Sequence, residues 1–394
     1  MRGPRVALVA PFGLRPKGTT IGRVLPIGRV LAKRGATVRL LIPPWDDRAR
    51  SGDRWYQDGV QIVHTRAAGS PLEMALILSD LGREIREFRP TVVHAFKPIG
   101  YSGAVAWWLA TVDRRGGSPR IVVDADDLEG PAGWAGRRGT GLGGRIRGVQ
   151  ETLTLRVAPH VTVASHWLAD HATRLGHKPG EVLYLPNGQD EQPLEAVDEE
   201  PGTGTSADGL TLLWYTRFTE TTAARIVRLL APLLAEVGGL RLAVIGEEIA
   251  EGARASIGAA FTAAGMAYQV DWLGYEPRGV ERYLAKRRGR VVAVYPMDDD
   301  LANRARCPSK VPQLMALGVP IVAEAVGEIP YYLAGFETDC LVAPGDVTRF
   351  QDRVRFLAGD AGAREALGGR LRTAAACWHW DQTAGGLLDW YLAN

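Results

Sequence analysis

Charged side chains follow several predicted strands of this chain at the point where each strand ends. Lys97 follows TVVHAF, the pair Asp126 and Asp127 follows RIVVDA, and Arg217 follows LTLLWYT. In an open parallel sheet the ligand site lies outside the carboxyl ends of the strands, so these positions are the candidates for chemistry. A carboxylate pair can bind sugar hydroxyls or a cation, and a guanidinium can hold a diphosphate through two parallel hydrogen bonds.

Each of these candidates also has a purely structural interpretation. His94 lies inside TVVHAF, where a histidine is often a packed core residue, although Lys97 at the strand end is harder to bury without a partner. The acidic residues after RIVVDA can also serve as a loop and helix cap or pair with arginines.

The segment 295–327 predicts a strand, a loop, a short helix and a second parallel strand. Pro308 and Ser309 fall where this helix begins, and Lys310 follows them. A helix start presents free backbone N–H groups and the positive end of the helix dipole, which suits a phosphate group. Most junctions of this kind in α/β proteins bind nothing, so the junction alone does not identify a site.

A glycine-containing loop, PFGLRPKGTT, follows the first predicted strand and leads into a helix. Gly18 and Thr19 at its end can approach a phosphate or a sugar through backbone N–H groups. The loop is not GxGxxG, and GxxxxGK[ST] is absent from the sequence. These absences exclude the nicotinamide and flavin fingerprint and the P-loop nucleotidases.

Strand and helix patterns alternate along the whole chain, which predicts α/β architecture with parallel sheets covered on both faces. A length of 394 residues favours two domains. We predict an N-terminal domain over 1–190, a polar linker over 191–209 and a second domain over 210–372. The remaining residues, 373–394, predict a C-terminal helix that packs back on the N-terminal domain.

Composition is that of a soluble globular protein, with 46% hydrophobic and 23% charged residues. Cys307, Cys340 and Cys377 are an odd number without metal-binding spacing, which indicates a reducing compartment and argues against disulfides or a zinc site. The sequence shows no export signal and no apolar run of the roughly 20 residues that a bilayer requires. We therefore expect a cytoplasmic protein, and no exposed apolar helix stands out.

Several of these motifs together resemble the GT-B fold glycosyltransferases of family 4. The resemblance rests on Arg217 at a strand end, on VIGEE, VDWLGYEP and LPNG, on WHWDQTAGGLLDWYL near the C-terminus, and above all on CPSKVPQLMALGVPIVAEAVGEIP. It implies two Rossmann-like domains facing across a cleft, with the donor on the C-terminal domain and the acceptor on the N-terminal domain. The implied activity is transfer of a sugar from a nucleotide diphosphate donor with retention of anomeric configuration, without a metal or a cofactor.

The resemblance also implies roles for individual residues. Arg217 matches the diphosphate-binding arginine of the family, and Cys307 to Lys310 match the segment whose backbone amides hold the distal phosphate. Tyr275 falls in the loop that borders the nucleotide base, and VVDADDLE resembles the DxDD segment of some members.

Three positions depart from the family pattern. The second glutamate of the paired-glutamate motif is Gln313 here, and the first is Ala305. Gln313 can still accept a ribose hydroxyl bond through its amide oxygen. The lysine usually found five residues after the arginine is Thr222, so Lys310 or Arg306 has to replace its charge, or the donor chemistry is weakened.

These observations give one predicted set of site residues. We expect catalysis from Asp126, Asp127, Arg217 and Lys310. The acceptor side adds His94 and Lys97 to the two aspartates. Donor binding falls to Gly18, Thr19, Arg217, Tyr275, Cys307, Pro308, Ser309, Lys310 and Gln313.

The predicted partners are a nucleotide sugar, such as a UDP-, GDP- or ADP-sugar, and an unknown glycan, lipid or small-molecule acceptor, with no nucleic acid. One alternative is a catalytically weak or inactive sugar-nucleotide-binding or scaffold protein, which Ala305 and Thr222 favour. A nucleotide-sugar epimerase is another.

Charge is distributed unevenly along the chain. Residues 1–190 hold 27 Lys and Arg against 17 Asp and Glu, or +10, and the remainder holds 20 against 27, or −7. A basic N-terminal half can attract an anionic membrane surface or a phosphate-bearing lipid acceptor. The arginine-rich loop GRRGTGLGGRIRG with Trp134 before it predicts a peripheral contact at the inner face of the membrane. A cytosolic enzyme with a soluble acceptor remains the alternative.

Overall fold

A computed structural model describes residues 3–14, 18–66, 72–112, 118–137, 141–190, 209–249, 251–276 and 278–393. The predicted linker 191–209 lies outside the described residues except for its last residue, and so does Arg138 of the arginine-rich loop. The chain forms two compact units. Unit 1 comprises 1–188, 305–307 and 380–394, and unit 2 comprises 189–304 and 308–379.

Unit 1 contains an eight-stranded sheet in which every neighbouring pair is parallel except β3 and β4. The strand order is β3-β4-β2-β1-β5-β6-β7-β8. The strands are β1 (Arg5–Val9), β2 (Thr37–Ile42), β3 (Arg54–Gln57), β4 (Val60–His64), β5 (Val92–Phe96), β6 (Arg120–Ala125), β7 (His160–Val163) and β8 (Val182–Tyr184).

Helices cover both faces of this sheet, and each face has its own apolar core. The helices are α1 (Leu25–Lys33), α2 (Glu73–Phe88), α3 (Gly100–Thr111), α4 (Trp134–Arg137), α5 (Leu142–Val157), α6 (His166–Arg174), and, near the C-terminus, two further segments given below. A π-helical turn, Thr20–Val24, leads directly into α1. Single π turns inside helices often occur at functional sites.

Unit 2 contains a six-stranded parallel sheet in the order β11-β10-β9-β12-β13-β14. Its strands are β9 (Thr211–Thr216), β10 (Arg241–Gly246), β11 (Val270–Gly274), β12 (Val291–Tyr295), β13 (Ile321–Glu324) and β14 (Leu341–Val342). Its helices are α7 (Ala223–Glu236), α8 (Ala253–Ala263), α9 (Gly279–Ala285), α10 (Leu301–Ala305), α11 (Lys310–Ala316), α12 (Ile329–Tyr332), α13 (Glu337–Cys340), α14 (Val347–Gly359) and α15 (Ala361–Ala374).

The predicted fold class is confirmed, because both units are α/β with doubly wound parallel sheets. The short helix predicted within 295–327 is α11, and Gly318 ends it at a φ of +68° that glycine adopts without strain. One strand was missed, and one local prediction was wrong. The strand β3 was not predicted, and the arginine-rich stretch expected to be a loop is helical from Leu142 onwards.

The C-terminal helix also differs from the prediction. Residues 380–393 contain two short helices, α16 (Trp380–Thr383) and α17 (Leu387–Ala393), because the pair Gly385 and Gly386 interrupts the helical pattern. Both helices belong to unit 1, and Trp380, Leu387 and Tyr391 are buried in one of its two cores. No helix among the described residues combines the length and the apolar composition that crossing a bilayer requires.

Candidate functional site

Four charged side chains of unit 1 converge beyond the ends of β5 and β6. The Lys97 ammonium lies 2.7 Å from Asp126 Oδ1 and 3.4 Å from Asp127 Oδ2, and it also donates to Glu129. We call Lys97, Asp126, Asp127 and Glu129 the acid–lysine cluster. The ligand atoms of its three carboxylates lie within 4.8 Å of one another, a spacing that suits a cation. Because Lys97 contacts all three, its ammonium occupies the position that a metal ion would take.

The backbone around Lys97 is held in an unusual conformation. Lys97 has a φ of +65°, in the left-handed region that a residue with a side chain adopts only when its surroundings impose it. Its N–H donates to the Asp124 carbonyl at 3.0 Å, which fixes the turn that directs the side chain toward the carboxylates. The hydroxyl of Thr19, which the sequence analysis assigns to donor binding, donates to Asp126 Oδ2 at 3.2 Å.

Burial and mutual repulsion shift the pKa values in the cluster. Burial alone lowers the pKa of Lys97, but attraction to Asp126, Glu129 and Asp127 outweighs it and holds the pKa well above its usual value. Burial raises the pKa of Asp127, and the neighbouring Asp126 charge raises it further against the opposing effect of Lys97. The pKa of Glu129 is raised for the same reasons. Asp127 is the most exposed of the three carboxylates, so it is the one best placed to meet a ligand.

Glu151 of α5 supports the cluster from behind. Its carboxylate accepts the backbone N–H groups of Glu129 at 2.9 Å and Gly130 at 2.8 Å, and so holds the loop that carries the acids. Burial raises the pKa of Glu151 to about 7, the nearby Glu129 charge adds to the increase, and the two N–H bonds oppose it. No feature of the sequence around Glu151 indicates this role, because its partners lie 21 and 22 residues away.

A chain of buried hydrogen bonds runs beneath the acid–lysine cluster. Arg23 forms a two-point ion pair with Asp124, whose Oδ1 also accepts the Thr162 hydroxyl at 2.6 Å. Because Thr162 donates to Asp124, its oxygen accepts from His94 Nε2 at 3.0 Å, and His94 Nδ1 then accepts the Tyr391 hydroxyl at 2.6 Å. Burial and the charge of Arg23 hold the pKa of His94 well below its usual value, so the ring is neutral.

This arrangement places His94 inside the sheet, fully buried and engaged at both ring nitrogens. The direct acceptor contact expected of His94 therefore has no support in the structure. The histidine instead connects α17 to the strand that leads to Lys97. The structural interpretation of His94 as a packed core residue agrees with its position.

The predicted donor loop is divided between the two units. Cys307 belongs to unit 1, where its carbonyl accepts from Asn187 Nδ2 at 2.7 Å and its thiol accepts from the Asn187 N–H at 3.2 Å. The Arg306 guanidinium lies over the Trp134 ring at 4.8 Å, and its charge lowers the pKa of Asp127. Pro308, Ser309 and Lys310 belong to unit 2, where Ser309 precedes the first residue of α11.

Glu220 organises the loop after β9 in unit 2. Its buried carboxylate accepts the Thr216 hydroxyl at 2.8 Å and the Arg217 N–H at 3.1 Å. The Lys310 ammonium donates to the same carboxylate at 3.0 Å and lies 5.0 Å from the centre of the Tyr215 ring. The Arg217 backbone N–H and the Lys310 ammonium thus share one carboxylate after β9, and this glutamate is a residue that sequence reasoning missed.

A second missed residue, Glu281 of α9, lies beside this loop. Gln313 Nε2 donates to Glu281 Oε1 at 2.7 Å, so a carboxylate stands next to the glutamine that replaces the expected glutamate. Burial raises the pKa of Tyr275 and the Glu281 charge raises it further, while Arg217 opposes the increase. These four groups therefore share one region of unit 2. A carboxylate beside an amide can accept the hydroxyls of a sugar.

The other departures from the family pattern have structural roles. The Thr222 hydroxyl accepts the Arg225 N–H at 3.3 Å and caps α7. Ala305 is fully buried, and its carbonyl accepts the Ser165 hydroxyl at 2.7 Å. Gly18 begins the helical turn before α1 with a carbonyl that accepts the Gly22 N–H at 2.9 Å.

The fold and these two sets of residues define an α/β protein built from two Rossmann-like units, each with polar groups at the carboxyl ends of its strands. Residues 20–188 match the model of the glycosyl transferase 4-like domain, and residues 210–360 match that of the glycosyl transferases group 1. The chain belongs to the GT-B glycosyltransferases of the group 1 type.

Individual known proteins are similar to this chain in sequence or in structure. A D-inositol 3-phosphate glycosyltransferase from Actinosynnema mirum is 29% identical over 262 residues, which are 63% of this chain and 60% of that protein's length. The structure of sucrose-phosphate synthase from Thermosynechococcus elongatus superposes with a TM-score of 0.75 at 19% identity, covering 99% of this chain and 98% of that one. Anabaena HepE in complex with UDP-glucose gives 0.69 at 13% identity, covering 98% and 99%.

Proposed function

We propose that the protein is a glycosyltransferase that moves a sugar from a nucleotide diphosphate donor to an acceptor hydroxyl. The observation that carries the proposal is that the Glu220 carboxylate accepts both the Arg217 backbone N–H and the Lys310 ammonium, because a strand end that carries an arginine and a lysine suits the diphosphate of a leaving nucleotide. Similarity to the sugar-transferring relative and to a structure that holds UDP-glucose supports the same donor class.

The donor is assigned to unit 2. Arg217, Lys310 and the amides at the start of α11 would neutralise the charge that develops on the diphosphate as its bond to the sugar breaks. Tyr275, Gln313 and Glu281 would contact the nucleoside, with Glu281 supplying the carboxylate that position 313 lacks. Lys310 would supply the positive charge of the family's usual lysine, whose position is occupied here by Thr222.

The acceptor is assigned to the acid–lysine cluster of unit 1. Asp126 and Asp127 would orient the acceptor hydroxyl, and Lys97 keeps the carboxylates together in a buried site. In the transfer, a bond forms between the acceptor oxygen and the anomeric carbon, the bond to the diphosphate breaks, and the hydroxyl proton leaves with the diphosphate. Retention of configuration and independence of metal ions are parts of this proposal.

One experiment tests the activity and its main alternative. The protein is incubated with UDP-, GDP- and ADP-sugars, with and without an extract of candidate acceptors, and the released nucleoside diphosphate is measured. An enzyme releases it in an acceptor-dependent manner, whereas a binding or scaffold protein of this fold binds the donor in calorimetry and releases nothing. NMR of the product gives the anomeric configuration, and turnover in excess chelator gives the metal requirement.

A further inference from the structure

The outer face of α5 carries an apolar stripe. Leu142, Ile146, Val149 and Leu153 follow one another at intervals of four, three and four residues, which places them on one side of a helix. They are exposed by 75%, 58%, 59% and 48%, respectively. The opposite side of α5 is buried through Thr154 and Leu155. The expectation that the chain has no exposed apolar helix was therefore wrong.

Positive charge borders this stripe. Arg145 and Arg156 are exposed, and Arg147 is half-buried on the same helix. The single acidic residue of α5 is Glu151, which is buried and bound to the backbone of the loop behind it. The outer face of α5 thus combines apolar side chains with cations and carries no carboxylate. This is the composition of a helix that lies in the plane of an anionic lipid surface.

A cavity of about 510 Å³ lies beside the stripe, between α5 and the loop that follows β6. Its apolar lining comes from Leu128, Pro131, Ala132, Val149 and Leu153, and its polar lining from Arg145, Glu151, Thr152 and His171. Val149 and Leu153 belong both to the stripe and to this cavity. An apolar chain that meets the stripe can therefore enter a recess in the protein, with a guanidinium available for the head group.

We infer that the outer face of α5 seats unit 1 on an anionic lipid surface. The stripe enters the boundary between head groups and acyl chains, Arg145, Arg147 and Arg156 contact lipid phosphates, and the cavity receives part of one acyl chain. The contact is made by a helix that includes Arg145 and Arg147 of the arginine-rich stretch, which the sequence analysis expected to be a loop. This inference does not depend on glycosyl transfer.

A second copy of the chain is a poorer occupant of the same face. In a twofold contact the same patch of both copies meets, so the three arginines of one α5 would approach those of the other. The outer face offers no carboxylate to offset their repulsion. Lipid phosphates, in contrast, supply the opposite charge along the whole length of the helix.

Co-sedimentation with vesicles tests the inference. The vesicles are phosphatidylcholine alone or a mixture with phosphatidylglycerol, at about 20 mM and about 300 mM salt, since higher salt shortens the range of surface charge interactions. We expect binding to the anionic vesicles at low salt, weaker binding at high salt and little binding to phosphatidylcholine. Failure to bind anionic vesicles at low salt would overturn the inference.

Matched variants locate the surface. The triple change Arg145→Gln, Arg147→Gln and Arg156→Gln should reduce partitioning at low salt about tenfold or more, whereas Arg228→Gln, Arg254→Gln and Arg349→Gln, exposed in unit 2, should leave it within about twofold. The apolar change Ile146→Gln with Leu153→Gln should also reduce it, unlike Tyr268→Gln with Phe356→Gln in unit 2. Equal losses in the unit 2 variants would overturn the assignment to α5.

Insertion of the helix is measured separately. In a Cys377→Ser background, an environment-sensitive fluorophore on Val149→Cys should shift to the blue with anionic vesicles, and the same label on Phe356→Cys should not. If the apolar variant fails to fold, as judged by circular dichroism, the arginine variant and this label decide the question. Size-exclusion chromatography with light scattering tests whether a second copy of the chain occupies the stripe instead. A wild type that is dimeric and does not bind vesicles, together with a monomeric apolar variant, would assign the stripe to a second copy.

Discussion

Arg217 and Lys310 contact the same carboxylate in different ways. The Lys310 ammonium donates to the buried Glu220 carboxylate, whereas the contact of Arg217 with Glu220 is made by the backbone N–H. Both residues therefore belong to the strand end where a charge-assisted contact with a diphosphate is expected.

We expect Arg217→Ala and Lys310→Ala each to weaken nucleoside diphosphate binding, by about 1.5 to 3 kcal/mol for a charge-assisted contact. Isothermal titration calorimetry with UDP, GDP and ADP measures the effect. Arg241→Ala, which removes an exposed ion pair with Asp271 in the same unit, is the matched control and should bind normally. Unchanged affinity in both test variants would move the donor site elsewhere.

Asp127 is the cluster carboxylate that solvent reaches most readily. We expect Asp127→Asn to retain donor affinity and to lose transfer, because the substitution alters unit 1 while the proposed donor-binding groups lie in unit 2. Nucleoside diphosphate release reports transfer, and calorimetry reports binding. Asp58→Asn, an exposed change in the same unit, should behave as the wild type. Full turnover of the Asp127 variant would reduce the acidic cluster to a structural role.

At the scale of elements, α5 both supports the acidic loop and presents its outer face to the surroundings. Glu151 supports the acidic loop, because its carboxylate accepts two backbone N–H groups of that loop. Burial gives this carboxyl a pKa of about 7 in the folded protein, against 4.5 as the ordinary value. The folded state therefore holds a proton that the unfolded chain releases more easily.

Stability should consequently fall as pH rises. A raised folded pKa contributes stability that is complete below about pH 4.5 and is lost as pH passes through about 7, and Asp127 and Glu129 act in the same direction. We expect the advantage in Tm of the wild type over Glu151→Gln to decline between pH 5 and pH 8. Glu87→Gln, an exposed change on α2, should follow the wild type. Parallel curves for wild type and Glu151→Gln would contradict the assignment.

The structure also shows which elements the sequence could predict. Runs of β-branched residues predict the buried strands, and the topology of a parallel sheet brings the residues after those strands to one edge. The sequence therefore predicts Lys97 and Asp126 at the same edge of the sheet. The role of Glu220 could not be predicted, because its partner Lys310 lies 90 residues away and only the folded sheet brings the two residues together. The helix α5 was not predicted, because Gly141, Gly143 and Gly144 at its start are typical of a loop and disfavour a helix. The spacing of its apolar stripe was visible in the sequence.

At the scale of the whole molecule, unit 1 is completed by residues from two distant parts of the chain. Residues 380–394 add Trp380, Leu387 and Tyr391 to one of its cores, and Tyr391 satisfies the buried His94. Fully burying one large apolar side chain contributes about 1.5 to 3 kcal/mol. The C-terminal residues therefore account for a sizeable part of the stability of a unit whose first residues lie almost 400 positions earlier.

We expect removal of residues 380–394 to unfold unit 1, since it exposes one core and leaves His94 Nδ1 without the Tyr391 hydroxyl. Loss of hydrogen-exchange protection in β1 and β5 measures this directly. The milder Leu387→Ala should lower stability by about 2 to 5 kcal/mol, whereas Leu392→Ala, at an exposed position of the same helix, should change it by less than about 0.5 kcal/mol. Full protection of β1 and β5 in the shortened chain would contradict the role of α17.

The tripeptide 305–307 gives the molecule a further property. In sequence these three residues lie between two segments of unit 2, 189–304 and 308–379, but in the fold they belong to unit 1. There Ala305 is hydrogen-bonded to Ser165, and Cys307 to Asn187. A hybrid protein produced by a single crossover between two related genes near residue 188 would therefore take most of unit 1 from one parent. Its residues 305–307 and its C-terminal helices would come from the other parent and would not match that unit. A hybrid that exchanges unit 1 intact has to transplant three separate stretches of the gene, so we expect the two units in this lineage to change by point substitution more readily than by shuffling.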